Sequence, residues 1–313
     1  MAFSALSRPI MKAAKPNLLL CFDAFGTLFS PKGPVAQQYA EVARQCDFTG
    51  FSDKELQSRL LEAIKDEREQ NPNYGKATGL GATQWWTNVI HKTFTPLLRN
   101  NQALPPTLVP KLIHRFSSSE GYEAQRDLVP AIRALRERIS QQGVERLVIG
   151  VITNSDDRVP DILSSLGLNV SPLRYGTPFD ASALREKQFD IDFHCMSYDV
   201  GVEKPDRRIF NAADIMLSHI IRARYKETLT ESEMERWQKV YIGDEVAKDV
   251  VGAAEAGWNP VLLDVDGNST EITSLEDTPQ QTLEDLFAEH ASVRVGSIRN
   301  LVSWLTGSEW EKR

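Results

Sequence analysis

The fold is decided by the stretch Leu18-Leu19-Leu20-Cys21-Phe22-Asp23-Ala24-Phe25-Gly26-Thr27-Leu28. Five apolar residues run directly into an acid, and a Gly-Thr turn follows shortly after it. An apolar run of this length that ends in turn residues predicts a strand buried on both faces. Asp23 then lies at the carboxyl end of that strand, where open α/β sheets bind their ligands. A lone buried carboxylate is costly without a compensating cation, so Asp23 either takes part in chemistry or caps the next helix.

Length and composition are those of an ordinary globular protein. The chain has 313 residues, of which 41% are hydrophobic and 25% charged, enough for one large or two modest domains. The formal net charge of −7 argues against a general nucleic-acid binder, because such a protein needs a basic face. No apolar run approaches the roughly 20 residues of a membrane span, so we expect no membrane insertion.

Cysteine usage and the N-terminal segment bear on the compartment. Cys21, Cys46 and Cys195 form neither a CxxC pair nor a disulfide framework. A reducing compartment therefore fits best, and we expect a cytoplasmic protein. Residues 1–16 carry three basic residues, two prolines and no acid, which predicts a flexible tail. A mitochondrial presequence is the alternative interpretation of this tail.

Strand and helix signals alternate through the second half of the chain. Apolar runs predict strands at 147–152, 193–198, 240–242 and 261–263, the last of them being the final clear strand. Segments with helical spacing lie between these runs, residues 266–289 have the composition of an acidic loop, and a last helix includes residues 302–304. Strands that alternate with helices predict an α/β fold with a parallel, doubly wound sheet.

A mostly helical block, residues 34–124, separates the first strand from the rest and shows no convincing strand. We predict that it is a helical cap inserted into a Rossmann-like core, which consists of residues 17–33 and 125–313. Within the block, residues 75–81 are too rich in glycine for a helix. We interpret them as a surface loop; the alternative is a flexible loop over the site, with Lys76 contacting an anionic group.

Residues able to carry chemistry lie at or just beyond the predicted strand ends. They are Asp23, Thr153-Asn154, Lys204-Pro205, and Gly243-Asp244 with Asp249 five residues later. Each of them has an ordinary explanation by itself, as a turn, a solvated loop or a helix cap. Their order along one α/β frame is much harder to explain by chance.

This order of residue types resembles the haloacid dehalogenase superfamily of aspartate-nucleophile hydrolases over residues 18–265. The block at 34–124 occupies the position of that family's helical cap. Finer motifs resemble the eukaryotic haloacid-dehalogenase-like hydrolase domain-containing-3 type. They are Asn73-Tyr74-Gly75, Gly79-Leu80, Gln84-Trp85-Trp86, Thr93-Phe94 and Lys204-Pro205-Asp206-x-Arg208-Ile209-Phe210.

The resemblance implies a role for each matching residue. Asp23 would be the nucleophile of a phosphohydrolase, and its attack would form an aspartyl intermediate on a small phosphorylated substrate. Thr153 would hydrogen-bond a transferring phosphoryl oxygen. Lys204 would neutralise charge on the nucleophile and on that phosphoryl group. Asn154 and Lys204 would contact the substrate.

The resemblance also implies a Mg²⁺ site. Its ligands would be Asp23, Asp244, Asp249, in the first or second coordination shell, and the carbonyl oxygen of Phe25. Three carboxylates that converge at one sheet edge repel one another, and a divalent cation together with a lysine cancels most of that cost. Oxygen ligands are those that Mg²⁺ prefers.

Phe25 departs from the phosphatase pattern, because family phosphatases usually carry an acid there that protonates the leaving group. General acid–base catalysis is typically worth about 10²–10⁴-fold, so we expect slow turnover except with good leaving groups such as acyl phosphates. Glu245, next to Asp244, is a conceivable substitute acid.

Phe25 also leaves two other functions open. True 2-haloacid dehalogenases look like Asp-x-Tyr-Gly-Thr at this motif and need no metal, and Asp23 to Thr27 differs only by the phenol hydroxyl. They tend, however, to carry Ser at the position of Asp244 and Asn at that of Val246, so we rank the phosphatase first. The third interpretation is a catalytically weak protein that binds a phosphorylated ligand or a partner.

Overall fold

The computed structural model describes residues 16–99, 102–278 and 281–307. Its strands, in chain order, are β1 (Asn17–Phe22), β2 (Phe29–Pro31), β3 (Tyr122–Ala124), β4 (Leu147–Thr153), β5 (Phe193–Met196), β6 (Trp237–Gly243), β7 (Asn259–Leu263) and β8 (Val293–Val295). Six of them form one sheet in the order β5-β4-β1-β6-β7-β8, in which every pair is parallel.

The first apolar run lies near the middle of this sheet. On β1, Leu20 is opposite Ile149 of β4 and Val240 of β6. Residues 18–22 are fully buried, as expected for a strand that is covered on both faces. The predicted strand beginning at 193 ends two residues earlier than expected, and β8 extends the sheet beyond the last clear strand signal.

The helices are α1 (Val35–Gln45), α2 (Asp53–Gln70), α3 (Pro72–Gly75), α4 (Ala82–Phe94), α5 (Leu108–Arg115), α6 (Leu128–Arg138), α7 (Val159–Ser165), α8 (Ala181–Glu186), α9 (Ser197–Val200), α10 (Arg207–Tyr225), α11 (Glu231–Met234), α12 (Gly252–Glu255), α13 (Leu283–Glu289) and α14 (Ile298–Thr306). A π-helical turn, Val246–Val251, precedes α12. The acidic segment 266–289 is therefore not all loop, since α13 forms its end. None of the helices described has both the length and the apolarity required to cross a membrane.

Both faces of the sheet are covered. Leu18, Leu20 and Phe22 pack into the apolar cluster that contains α6 and α14. Leu19 and Cys21, which point to the other face because strand side chains alternate, pack into a second cluster with α10. The α/β class with a doubly wound parallel sheet is therefore confirmed.

The helical block lies between β2 and β3, which pair antiparallel in a ribbon of their own, with Phe29 opposite Ala124 and Pro31 opposite Tyr122. The expectation of no strand in residues 34–124 was therefore wrong at its end. Three residues with no apolar alternation give no strand signal, and pairing with β2 determines their conformation. The ribbon holds together the chain segments that enter and leave the block.

Residues 72–81 of the helical block contact the part of the chain that follows β5. Asn73 and Tyr74 have positive φ values of 46° and 57°, a left-handed conformation that costs a non-glycine residue roughly 1–2 kcal/mol. Asn73 Nδ2 donates a hydrogen bond of 2.9 Å to the carbonyl oxygen of Ser197, which stabilises this turn. Lys76 Nζ lies 4.8 Å from the ring centroid of Tyr198. The predicted tail falls outside the described part of the chain, apart from Pro16.

Candidate active site

The predicted site residues meet at the carboxyl edge of the sheet. Asp23 directly follows β1, Thr153 ends β4 and Asp244 directly follows β6, and these strands are neighbours. Carboxylate oxygens of Asp23, Asp244 and Asp249 lie within 4.8 Å of one another. Residues more than 200 positions apart in the sequence therefore form one acidic cluster.

Two glycines allow these carboxylates to approach the backbone. Gly26 has a φ of +81°, and a Cβ atom placed on it would lie 2.2 Å from Asp244 Oδ2. A Cβ atom on Gly243 would lie 2.2 Å from Cγ of Asp249. Any side chain at either position would displace an acid, so the glycine of each motif belongs to the site.

Lys204 joins two of the acids. Its Nζ atom lies 2.9 Å from Asp23 Oδ1 and 2.7 Å from Asp249 Oδ1, and all three side chains are buried. Burial acts to lower the pKa of Lys204, but the two carboxylates outweigh it and raise that pKa above its ordinary value. The lysine therefore remains an ammonium between the acids.

Asp23 is in a strongly desolvated environment. Burial raises its pKa, and the Asp249 carboxylate acts in the same direction, while Lys204 and the Thr153 hydroxyl stabilise the ionised form. Burial also raises the pKa of Asp244, which Thr27 opposes by donating a 2.9 Å hydrogen bond to Asp244 Oδ1. Both carboxylates would gain from a nearby cation.

Asn154 holds the loop that carries Lys204, and its contact with substrate stays a prediction. Its Oδ1 accepts a 2.6 Å hydrogen bond from the backbone N–H of Lys204, and its Nδ2 donates one of 3.1 Å to the Lys204 carbonyl oxygen. Both ends of the amide are therefore engaged in holding the loop that carries Lys204. The geometry makes Asn154 a positioning residue.

Tyr241 was not singled out by sequence reasoning. Its hydroxyl accepts a 2.7 Å hydrogen bond from Lys204 Nζ and donates one of 2.8 Å to the carbonyl oxygen of Ile152. Asp249 uses both oxygens, since Oδ1 pairs with Lys204 and Oδ2 accepts a 2.9 Å hydrogen bond from the backbone N–H of Glu245. Asp249 therefore already serves to hold Lys204 in place.

Phe25 provides no acid, and its ring is directed into an aromatic cluster. The ring centroid lies 4.7 Å from that of Phe29 and 5.6 Å from that of Tyr122. Glu245, the conceivable substitute acid, is exposed and forms a 2.8 Å ion pair with Lys248. The ion pair gives Glu245 an ordinary surface role.

Comparison with known proteins identifies the family. The model of the family "haloacid dehalogenase-like hydrolase" matches residues 18–257. The chain belongs to this family. An uncharacterised hydrolase of Schizosaccharomyces pombe is 29% identical over 251 residues, which cover 80% of this chain and 92% of the relative. Haloacid dehalogenase-like hydrolase domain-containing protein 3 of Bos taurus is 28% identical over 246 residues, 78% of this chain and 81% of the relative. The predicted likeness to that type is confirmed.

A solved structure shows the same fold. The 2-haloacid dehalogenase from Pseudomonas syringae pv. Tomato DC3000 aligns with a TM-score of 0.50 at 16% identity, covering 92% of this chain and 98% of that one. At this identity the likeness concerns the fold alone.

The donor set of this haloacid dehalogenase-like hydrolase fits Mg²⁺. Every side-chain donor in the cluster is a carboxylate oxygen, the ligand type of hard divalent cations. Asp23 Oδ1 is buried without a hydrogen-bond partner among the residues described, and its contact with Lys204 is an ion pair without hydrogen-bond direction. The exposed Asp244 faces solvent, from which an ion would enter.

A cavity of about 500 Å³ adjoins the site. Phe25 and Asn154, which are two residues from Asp23 and one residue from Thr153, line it, and residues of the helical block form much of its wall. The cavity is therefore placed to hold the part of a substrate that extends from the reacting group.

Proposed function

We propose that this hydrolase is a Mg²⁺-dependent phosphohydrolase that acts on a small phosphorylated molecule through an aspartyl-phosphate intermediate. The acidic cluster of Asp23, Asp244 and Asp249 carries the proposal, since its carboxylate oxygens lie within 4.8 Å of one another. Phosphoryl transfer depends mainly on positioning and on charge stabilisation, which such a cluster with a bound cation provides. Displacement of halide from carbon has little use for a cation there.

The residues around Asp23 support its role as the nucleophile. Its carboxylate would attack phosphorus, and the leaving group would depart with the electron pair of the broken bond. Lys204, with Nζ 2.9 Å from Asp23 Oδ1, would neutralise charge on the transferring group. The Thr153 hydroxyl would donate a hydrogen bond to a phosphoryl oxygen. Water would then hydrolyse the aspartyl phosphate and restore the carboxylate.

The metal would be held by Asp23, Asp244 and the carbonyl oxygen of Phe25, with Asp249 as a ligand or, given its existing partners, as a second-shell support. When bound, Mg²⁺ supplies positive charge to the phosphoryl oxygens. The absence of a disulfide framework among Cys21, Cys46 and Cys195 supports a cytoplasmic location.

A 2-haloacid dehalogenase is the second candidate function, because Phe25 takes the place of the phosphatase acid. Asp244 argues against the dehalogenase, since a carboxylate at this position suits a metal site. A protein that only binds a phosphorylated ligand would also be compatible with Phe25. A purely binding function, however, does not explain why Asp23, at the end of β1, is paired with Lys204.

Phosphate release from acetyl phosphate, with and without Mg²⁺, tests the proposal, and Asp23→Asn is the control. We expect release that requires both Mg²⁺ and Asp23. Release no greater than that of Asp23→Asn would reject the phosphohydrolase. Halide release from 2-chloropropionate would then support the dehalogenase, and its absence would leave the binding protein.

A further inference from the structure

The cavity beside the site is built for an apolar group. Its volume of about 500 Å³ lies within the range of small-molecule sites. Aromatic and aliphatic side chains supply most of its wall, among them Tyr39, Trp86, Phe116 and Leu60. Sugar or polyol groups need donors and acceptors around them, because a buried hydroxyl without a partner costs free energy. Most residues of this wall are apolar or aromatic, and the hydroxyls among them are mainly those of tyrosine rings.

Two polar residues of the cavity, Asn154 and Arg158, are engaged by other groups of the protein. Polar groups along the wall belong to Gln57, Asn154, Ser155 and Arg158 and to the hydroxyls of Tyr39, Tyr74 and Tyr122. The amide of Asn154 is engaged with the backbone of Lys204 on both sides. The charged member, Arg158, therefore decides whether the cavity suits an anionic or a neutral group.

Arg158 is neutralised in place. Its Nε and Nη2 atoms each donate a 2.8 Å hydrogen bond to one oxygen of Asp156, and Nη1 donates one of 3.2 Å to the carbonyl oxygen of Phe116. Such a bidentate pair engages one side of the guanidinium fork. Its planar face lies 4.5 Å from the ring centroid of Trp86. Arg158 therefore lines the cavity as one half of an ion pair and not as an unpaired cation.

The same pair positions an aromatic wall. Trp86 Nε1 donates a 2.9 Å hydrogen bond to Asp156 Oδ2, so the indole of the helical block is held by an acid of the core. Asp156 is fully buried, and its pKa lies below its ordinary value because Arg158 and these hydrogen bonds outweigh the effect of burial. The indole, covered by Arg158 on one face and fixed by Asp156, is therefore a rigid part of an aromatic wall against which an apolar ring can pack.

Phe25 connects this cavity to the chemistry. It lines the cavity, and it occupies the sequence position at which family phosphatases usually carry the acid that protonates the leaving group. A leaving group that departs here must therefore leave as an anion. Phenols have a pKa near 10, far below that of alkanols, so phenolates leave more readily than alkoxides.

We infer that the substrate is an aryl phosphate whose aromatic ring occupies this cavity; the inference rests on the proposed phosphohydrolase function. An oxygen of Asp23 bonds to phosphorus, and the bond between phosphorus and the phenolic oxygen breaks. The electron pair stays on the phenolate, which takes a proton from bulk water after release. Water then cleaves the aspartyl phosphate to inorganic phosphate.

Cavity-directed variants test the inference with 2-naphthyl phosphate and acetyl phosphate as the paired substrates. Ala36→Trp fills the cavity from α1, and the matched control Gln37→Trp adds the same ring at the exposed neighbouring position. We expect Ala36→Trp to lower kcat/KM for 2-naphthyl phosphate at least about tenfold and to leave that for acetyl phosphate within about twofold. Gln37→Trp should change neither.

A second variant and a binding measurement cover the case in which Ala36→Trp fails to fold. Leu61 lines the cavity with 61% of its surface exposed, so Leu61→Glu keeps the fold and places a charge beside the ring. It should weaken binding of 2-naphthol, measured by calorimetry, about tenfold. Equal losses of kcat/KM for both substrates, or no loss for either, would overturn the aryl inference. Turnover of acetyl phosphate by the unsubstituted protein would still support the phosphohydrolase in that case. Absence of turnover with both substrates would overturn both.

Discussion

Tyr241 supports Lys204 from below the site: its hydroxyl accepts a 2.7 Å hydrogen bond from Lys204 Nζ and donates one of 2.8 Å to the Ile152 carbonyl oxygen. The ammonium is thereby held by three groups, two of which are the carboxylates of Asp23 and Asp249. A phenol inside a central strand thus determines where the positive charge of the site stands.

Tyr241→Phe removes this support without creating a large cavity. We expect the free energy of unfolding to fall by about 1–3 kcal/mol, because a buried carbonyl oxygen loses its donor. We also expect kcat for acetyl phosphate to fall about tenfold with little change in KM, less than the ~10²–10³-fold typical of losing a donor on the reacting group. Denaturation and steady-state kinetics measure both effects, with Tyr225→Phe at a surface position as control. Unchanged kcat would show that Lys204 needs no support from Tyr241.

Mg²⁺ should stabilise the folded protein through the acidic cluster. A ligand that binds the native state at ~100 times its Kd adds about 2.7 kcal/mol to the free energy of unfolding, so we expect Mg²⁺ to raise the Tm. Asp244→Asn should abolish this rise, and the exposed Asp266→Asn, which removes the same charge outside the cluster, should keep it. Equal shifts in both variants would place the ion elsewhere.

Two glycines on either side of β2 distinguish backbone strain from steric crowding. Gly26 and Gly33 both have positive φ, but a Cβ atom on Gly33 meets nothing within 4 Å, whereas one on Gly26 meets the Asp244 carboxylate. Gly33→Ala should cost about 1–2 kcal/mol of stability and keep Mg²⁺ binding. Gly26→Ala should also lose Mg²⁺ binding, as measured by calorimetry. If Gly26→Ala binds Mg²⁺ normally, Asp244 has room to move and the close approach is not needed.

Long apolar runs made the centre of the fold predictable. The apolar runs 18–22 of β1, 147–152 of β4 and 240–242 of β6 are almost entirely buried, so the polar residues that follow them stand out. For that reason Asp23, Thr153 and Asp244 could be assigned to one sheet edge before the geometry was known.

Residues whose role depends on distant neighbours could not be predicted in this way. Tyr241 lies inside the apolar run of β6, and only the arrival of Lys204 gives its hydroxyl a function. The role of the ion pair between Asp156 and Arg158 also depends on a distant residue. Asp156 accepts a hydrogen bond from Trp86, which is 70 residues away in the sequence. β8, with Val-Arg-Val, is too short to signal a strand and forms by pairing with β7.

Restoring an acid at position 25 should change the choice of leaving group. Phe25→Asp is expected to raise the ratio of kcat/KM for an alkyl phosphate to that for acetyl phosphate by about 10²-fold, the scale of general acid catalysis. The substitution also removes the contacts of the Phe25 ring with Phe29 and Tyr122. The free energy of unfolding should therefore fall by about 2 kcal/mol. Phe25→Leu, which loses the ring without gaining an acid, should not raise the ratio. Equal ratios in the two variants would show that an acid here cannot reach the leaving group.

His194 should make the protein sensitive to acid. The side chain is fully buried on β5, neither ring nitrogen has a hydrogen-bond partner among the residues described, and burial lowers its pKa from 6.5 to about 4. The unfolded chain therefore binds a proton that the native state resists. The contribution of His194 to stability is fully present above pH 6.5. It is lost as the pH falls through 4, by about 3 kcal/mol in total. Urea unfolding between pH 8 and pH 4 should show this loss and show it reduced in His194→Leu, with the exposed His91→Leu as control. The same pH dependence in His194→Leu as in the unsubstituted protein would assign the acid sensitivity to other groups.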